Sequence, residues 1–139
     1  MTSAPVSKSR GFTKFTAVMV AVILLAVSFS LIGCGAFGDV SAEKALQLKN
    51  RGAIVLDIRS GLAYDQGHIE GSKNIDYNSS DFPEQINKLD KNIVYLICGN
   101  SADAAAAVLL MQKNGFKKVH AIKNGIEGWK EAGYHITIW

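Results

Sequence analysis

Cysteine is almost absent from this 139-residue chain: there are two, Cys34 and Cys98. Cys34 belongs to an N-terminal leader, so Cys98 stands as a lone thiol, with a Cys34 to Cys98 bridge as the competing reading. The three histidines, His68, His120 and His135, are scattered, and with one free cysteine they form no cluster at metal-ligand spacing. No metal and no cofactor are therefore expected. There is no Gly-rich phosphate loop, no internal repeat and no low-complexity tract. A surplus of basic charge is also missing once position is considered. The net charge of +3 comes from 15 basic and 12 acidic residues. Lys8, Arg10 and Lys14 all precede the first apolar run, and removing those three leaves twelve against twelve. Nothing in a neutral folded part suggests a basic surface for nucleic acid.

What is present begins with that run. Met1 to Lys14 is polar and positive, and from Phe15 to Ile32 the only polar residues are Thr16, Ser28 and Ser30. This is the pattern of an export signal or a membrane span. Leu31-Ile32-Gly33-Cys34 resembles the lipobox of bacterial lipoproteins, which implies cleavage before Cys34 and acyl chains on that residue. An uncleaved anchor helix is the alternative. Both readings tether the following domain outside the cytoplasmic membrane, in the periplasm or at the cell surface, because the positive flank stays inside. The expected organisation is a leader or anchor over 1–34, a Gly-containing linker over 35–40, and one domain over 41–139.

Within that domain, Ser41 caps a helix running to about Asn50, with Glu43 in its first turn and Gly52 closing it. Ala53 to Ile58 reads as a buried strand ending in Asp57-Ile58-Arg59. A helical turn over Leu62 to Gln66 and a brief strand over Lys73 to Tyr77 follow. Asp81-Phe82-Pro83 opens another helix with Phe82, Ile86 and Leu89 on one face. Ile93 to Ile97 is a bounded, apolar, β-branched run, as in a strand covered on both faces. Past it, Ala105, Val108, Leu109 and Met111 recur at helical spacing until Asn114-Gly115. Val119 to Ile122 is a short strand, Ile126 to Ala132 a helix, and Tyr134 to Trp139 an extended tail. Strands alternating with helices predict an α/β fold with an open, mainly parallel sheet flanked by helices.

Cys98 falls between the end of the central strand and the first turn of the helix after it. In open α/β sheets ligands bind at this place, and the free amide groups and helix dipole there favour a thiolate. A buried cysteine acting as a small apolar side chain is the other reading.

Four stretches together resemble the motifs of single-domain rhodaneses: Asp57-Ile58-Arg59; Tyr64-x-x-Gly67-His68-Ile69-x-Gly71-Ser72; Cys98 with its loop; and Gly125-Ile126-x-x-Trp129-x-x-x-Gly133. The resemblance covers about Ser41 to Tyr134. It implies a rhodanese fold in which Cys98 accepts a sulfane sulfur and holds it as a persulfide. The partners implied are a small-molecule or thiol-bound sulfur donor and a thiol acceptor, with the domain a monomer. Asp57 corresponds to the acidic residue behind the active loop, and Arg59 supports it. Arg59 and His68 read as rim or turn-packing residues, and Trp129 as core.

The loop departs from the family's pattern. Active members resemble Cys-x-x-Gly-x-Arg, whereas Cys98 is followed here by Gly99, Asn100, Ser101, Ala102 and Asp103. A carboxylate where the family has a cation repels a doubly anionic donor such as thiosulfate. As a residue of a helical first turn, Asp103 is equally well explained. Ala63 stands where the family often has Glu, which removes a partner from Arg59. Phosphatases of the same fold need an arginine six positions after the cysteine, and that position is Ala104. The expectations are therefore a membrane-tethered sulfurtransferase or persulfide carrier, weak with thiosulfate, or a binding module that kept the fold and lost turnover.

Overall fold

The structure, a computed structural model, describes residues 37–139. The leader, Cys34 and the first part of the linker lie outside the described residues. Five parallel strands make one sheet: β1 (Phe37–Val40), β2 (Ile54–Asp57), β3 (Lys73–Asn74), β4 (Val94–Cys98) and β5 (Lys118–Ile122), in the order β1-β5-β4-β2-β3. The helices are α1 (Ala42–Asn50), α2 (Gly61–Asp65), α3 (Phe82–Asn87), α4 (Ser101–Lys113) and α5 (Gly125–Glu131). Among the described residues no helix is long and apolar enough to cross a membrane.

The central strand shows why the sheet is sandwiched. Successive side chains of a strand point to opposite faces, and Tyr95 to Cys98 are all buried. Tyr95 and Ile97 join Phe82, Ile86, Ala104, Ala107 and Met111 under α3 and α4. Leu96 and Cys98 join Val55, Ala45, Ile126 and Trp129 under α1 and α5. Burial of Phe82 and Ile86 alone contributes about 1.5–3 kcal/mol each, before chain entropy is counted.

Two expectations change. Residues 37–40, read as part of a linker, form an edge strand paired in register with Val119 to Ile122. The buried face of α4 is Ala104, Ala107, Val108 and Met111, while Ala105 is exposed and Leu109 is 56% exposed. A helix with apolar residues on all sides does not announce its inner stripe. The extended tail is held in place, since His68 and Thr137 exchange backbone hydrogen bonds of 2.9 and 2.8 Å.

Candidate active site

Cys98 is the last residue of β4, and its register partner is Asp57, the last residue of β2. Both face the α1 and α5 side of the sheet, two residues beyond Leu96 and Val55, and both are 0% exposed. A carboxylate and a thiol thus lie on adjacent strands, about 4.8 Å apart at the backbone.

Arg59 closes over the carboxylate. Its Nε donates to Asp57 Oδ1 at 2.9 Å and Oδ2 at 3.2 Å, its Nη2 donates to Oδ2 at 2.5 Å, and its backbone N–H donates to Oδ1 at 3.1 Å. The same Nη2 donates to the Gly67 carbonyl at 2.7 Å. Asn74 Nδ2 ties the turn below by donating to the carbonyls of Asp57 (2.9 Å) and Arg59 (2.8 Å). With Ala63 in place of a carboxylate, Asp57 is the partner of Arg59. The hydrogen bond to Asp57 raises the Arg59 pKa above its ordinary value.

Burial, then the Asp57 charge, push the Cys98 thiol up to about 12 against the opposing pull of Arg59. A thiolate was expected from the helix start, but desolvation outweighs that dipole in this conformation. At neutral pH the resting group is a protonated thiol.

The loop after Cys98 is Gly99 and Asn100 alone. Asn100 caps α4: its Oδ1 accepts from Asp103 N–H at 2.9 Å and its Nδ2 donates to the Asp103 carboxylate. Ser101, grouped above with the loop, joins Ala102 and Asp103 in the first helical turn, where Asp103 was also read. They wind up there because an Asn cap with an acid three residues on satisfies two polar groups reciprocally.

The loop is also wedged from both sides. A side chain at Gly99 would put its Cβ 2.6 Å from Ile58 Cγ1, and one at Gly125 would put it 2.3 Å from the Gly99 carbonyl oxygen. Asn124 and Gly125 have left-handed φ of 58° and 52°, so the turn into α5 can press against the loop. The sequence reading missed Gly67, Asn74 and the Asn124-Gly125 turn as parts of this site. The Asn-Gly dipeptide was the available signal for the last.

His68 is buried, with Nδ1 2.9 Å from the Tyr64 carbonyl oxygen, and its ring stacks on Tyr64 at 3.9 Å between centroids. It packs a turn. Trp129 is buried, and its Nε1 donates to the His135 carbonyl at 3.0 Å. Hollows at the surface of the described residues include two near the ends of these elements. One of about 220 Å³ lies beyond the loop between Ser101, Ala104, Ile122 and Lys123. The other, about 240 Å³, is lined by Leu46, Ile69, Trp129 and Tyr134. Cys98 lines neither of these two, and its position is set by the end of β4.

The sequence profile of the rhodanese-like domain family matches residues 41–132. The chain belongs to that family. Its rhodanese-like domain is similar to the thiosulfate sulfurtransferase GlpE of Pseudomonas entomophila (strain L48), with 40% identity over 95 residues, 68% of this chain and 85% of that protein. It is 39% identical over 97 residues to the thiosulfate sulfurtransferase GlpE of Pseudomonas aeruginosa (strain LESB58), covering 68% of this chain and 84% of the relative. Among solved structures, a rhodanese-related protein from Thermoplasma volcanium superposes with a TM-score of 0.64 at 26% identity, over 73% of this chain and 98% of that one. The polysulfide-sulfur transferase homodimer from Wolinella succinogenes gives a TM-score of 0.60 at 20% identity, over 91% of each chain, which is a likeness of fold. The α/β architecture with a parallel five-stranded sheet is that of the rhodanese-like family, and the family is one of sulfurtransferases.

Proposed function

We propose that this rhodanese-like domain carries sulfane sulfur on Cys98 as a persulfide, is held at the outer face of the membrane through its leader, and works poorly with thiosulfate. The observation that carries the reading is the position of Cys98 at the carboxyl end of the central strand, beside the Asp57–Arg59 pair and under the start of α4. Donor binding must first expose and deprotonate the thiol. The thiolate attacks the outer sulfur of a sulfane donor, forming the Cys98 S–S bond and releasing the donor's remaining sulfur as thiolate or sulfite. An acceptor thiolate then attacks the terminal sulfur, leaves with it as a persulfide, and returns Cys98 as thiolate.

Thiosulfate is disfavoured for two reasons. Its two negative charges meet Asp103 instead of a cation, and a loop of two residues offers few amides to hold an oxyanion. The second reading, a binding module without turnover, is favoured by the full burial of the thiol. Rates of sulfur transfer to a small thiol, with polysulfide and with thiosulfate as donors, separate the two. The expected result is transfer from polysulfide at least about tenfold faster, a gap of about 1.4 kcal/mol in barrier. Equal rates would remove the thiosulfate argument, and no transfer from either donor would establish the binding module.

A further inference from the structure

Because all five strands are parallel, the connections feeding them line one rim of the sheet, while Asp57 and Cys98 end strands at the other. Charge is divided between the two rims. The connection into β2 carries Arg51, that into β4 carries Lys88 and Lys91, and that into β5 carries Lys113, Lys117 and Lys118. These three connections are neighbours in the sheet order, and Lys117 N–H donates to the Lys91 carbonyl at 2.9 Å. The acids nearby are partly engaged: Asp90 accepts from Asn92, and Glu84 pairs with Lys88 at 2.8 Å. At the opposite rim, outside the Asp57–Arg59 pair, Asp39, Glu43, Asp76, Asp81 and Asp103 outnumber Lys44 and Lys123. A domain of zero net charge is therefore polarised along its strands.

A second observation fixes the occupant. Strand β1 starts at Phe37 on the basic rim, three residues after Cys34. Three residues reach about 11 Å at most when fully extended, so a lipid on Cys34 brings this rim to the headgroups. We propose that the basic rim centred on Arg51, Lys91, Lys117 and Lys118 docks on anionic lipid headgroups, turning the Cys98 rim away from the bilayer. The inference rests on the membrane-tethered reading above. Basic residues near an anionic surface are attracted within a Debye length and each adds to binding, so several in a row act together. The five residues of β4 would set the thiol roughly 16 Å beyond the rim, at about 3.3 Å per residue, within reach of soluble donors and acceptors.

The domain from Gly35 onward is a fair test object, since its core closes within the described residues and the Thermoplasma protein it covers to 98% is little more than this domain. Sedimentation with vesicles of phosphatidylglycerol and phosphatidylcholine, against phosphatidylcholine alone, reads docking without any lipid on the protein. The domain is expected to sediment with the anionic vesicles at low ionic strength and to be released by salt. The combined variant Arg51→Gln, Lys91→Gln, Lys117→Gln, Lys118→Gln should bind at least about tenfold more weakly, and Lys44→Gln with Lys123→Gln about as well as the parent. Equal sedimentation with neutral vesicles, equal loss in both variants, or tighter binding to a single-stranded RNA oligonucleotide than to the vesicles would each overturn the proposal. The mass of the mature full-length chain tests the tether separately. A lipidated chain beginning at Cys34 supports it, an unlipidated chain that has lost the leader sinks the tether without touching the vesicle result, and a lipidated chain whose domain ignores anionic vesicles sinks the rim alone.

Discussion

Asp57 and Cys98 end adjacent strands at 0% exposure, and Arg59 ties the carboxylate of the first while its charge opposes the rise of the second's pKa. Its guanidinium reaches both carboxylate oxygens, while burial, ahead of the Asp57 charge, pushes the Cys98 thiol up to about 12. Replacing Arg59 by Gln strands a buried carboxylate and frees the Gly67 carbonyl. Loss of one partner from a buried pair costs about 3–5 kcal/mol. The Arg59 side chain is 21% exposed, and water reaching it places the expected loss near the lower figure. Urea unfolding of Arg59→Gln measures it. A change below about 1 kcal/mol, the range of surface pairs, would show that the pair does not hold the turn. His68 belongs to the same scale and the opposite conclusion, since its ring nitrogen is committed to the Tyr64 carbonyl and its faces to stacking.

The element that sets the chemistry is α4, because its start fixes how much chain is left to surround the thiol. Asn100 as the cap and Asp103 as its reciprocal partner begin the helix two residues after Cys98's immediate neighbour. Asp103→Arg removes the bond to Asn100 Nδ2 and puts a cation at the positive end of the helix, costing about 0.5–2 kcal/mol of stability. It is expected nonetheless to raise the thiosulfate rate constant about tenfold or more, with the gain shrinking as salt is added. A folded variant with an unchanged rate at low ionic strength would assign the limit to the two-residue loop. The strand and helix series of this domain was legible from period and turn residues: Ser41 caps α1 and Pro83 opens α3 as their types predict. Strand β1 was not legible, because four residues containing Gly38 and Asp39 carry no apolar pattern, and their pairing with β5 is a long-range fact. The length of the active loop was hidden for a related reason, since a helix can start at any of several polar residues and packing against Gly125 selects one.

Properties of the whole molecule were the least visible in the chain. The type of fold followed from strands alternating with helices and from the four family motifs. That the thiol is protonated did not follow, because desolvation depends on everything packed around it, including Ile126 and Trp129 from the far end of the sequence. The division of charge between the two rims also required the strand directions, since along the sequence acids and bases alternate. The account's central claim is that this one cysteine carries sulfur, and intact mass of the domain after exposure to polysulfide tests it most directly. A gain of about 32 Da, one sulfur atom per thiol, is expected on the parent and absent from Cys98→Ser. Because the thiol's pKa is about 12, the loading rate should climb roughly tenfold per pH unit from neutrality upward. No gain of mass at any pH, or the same gain in Cys98→Ser, would contradict it.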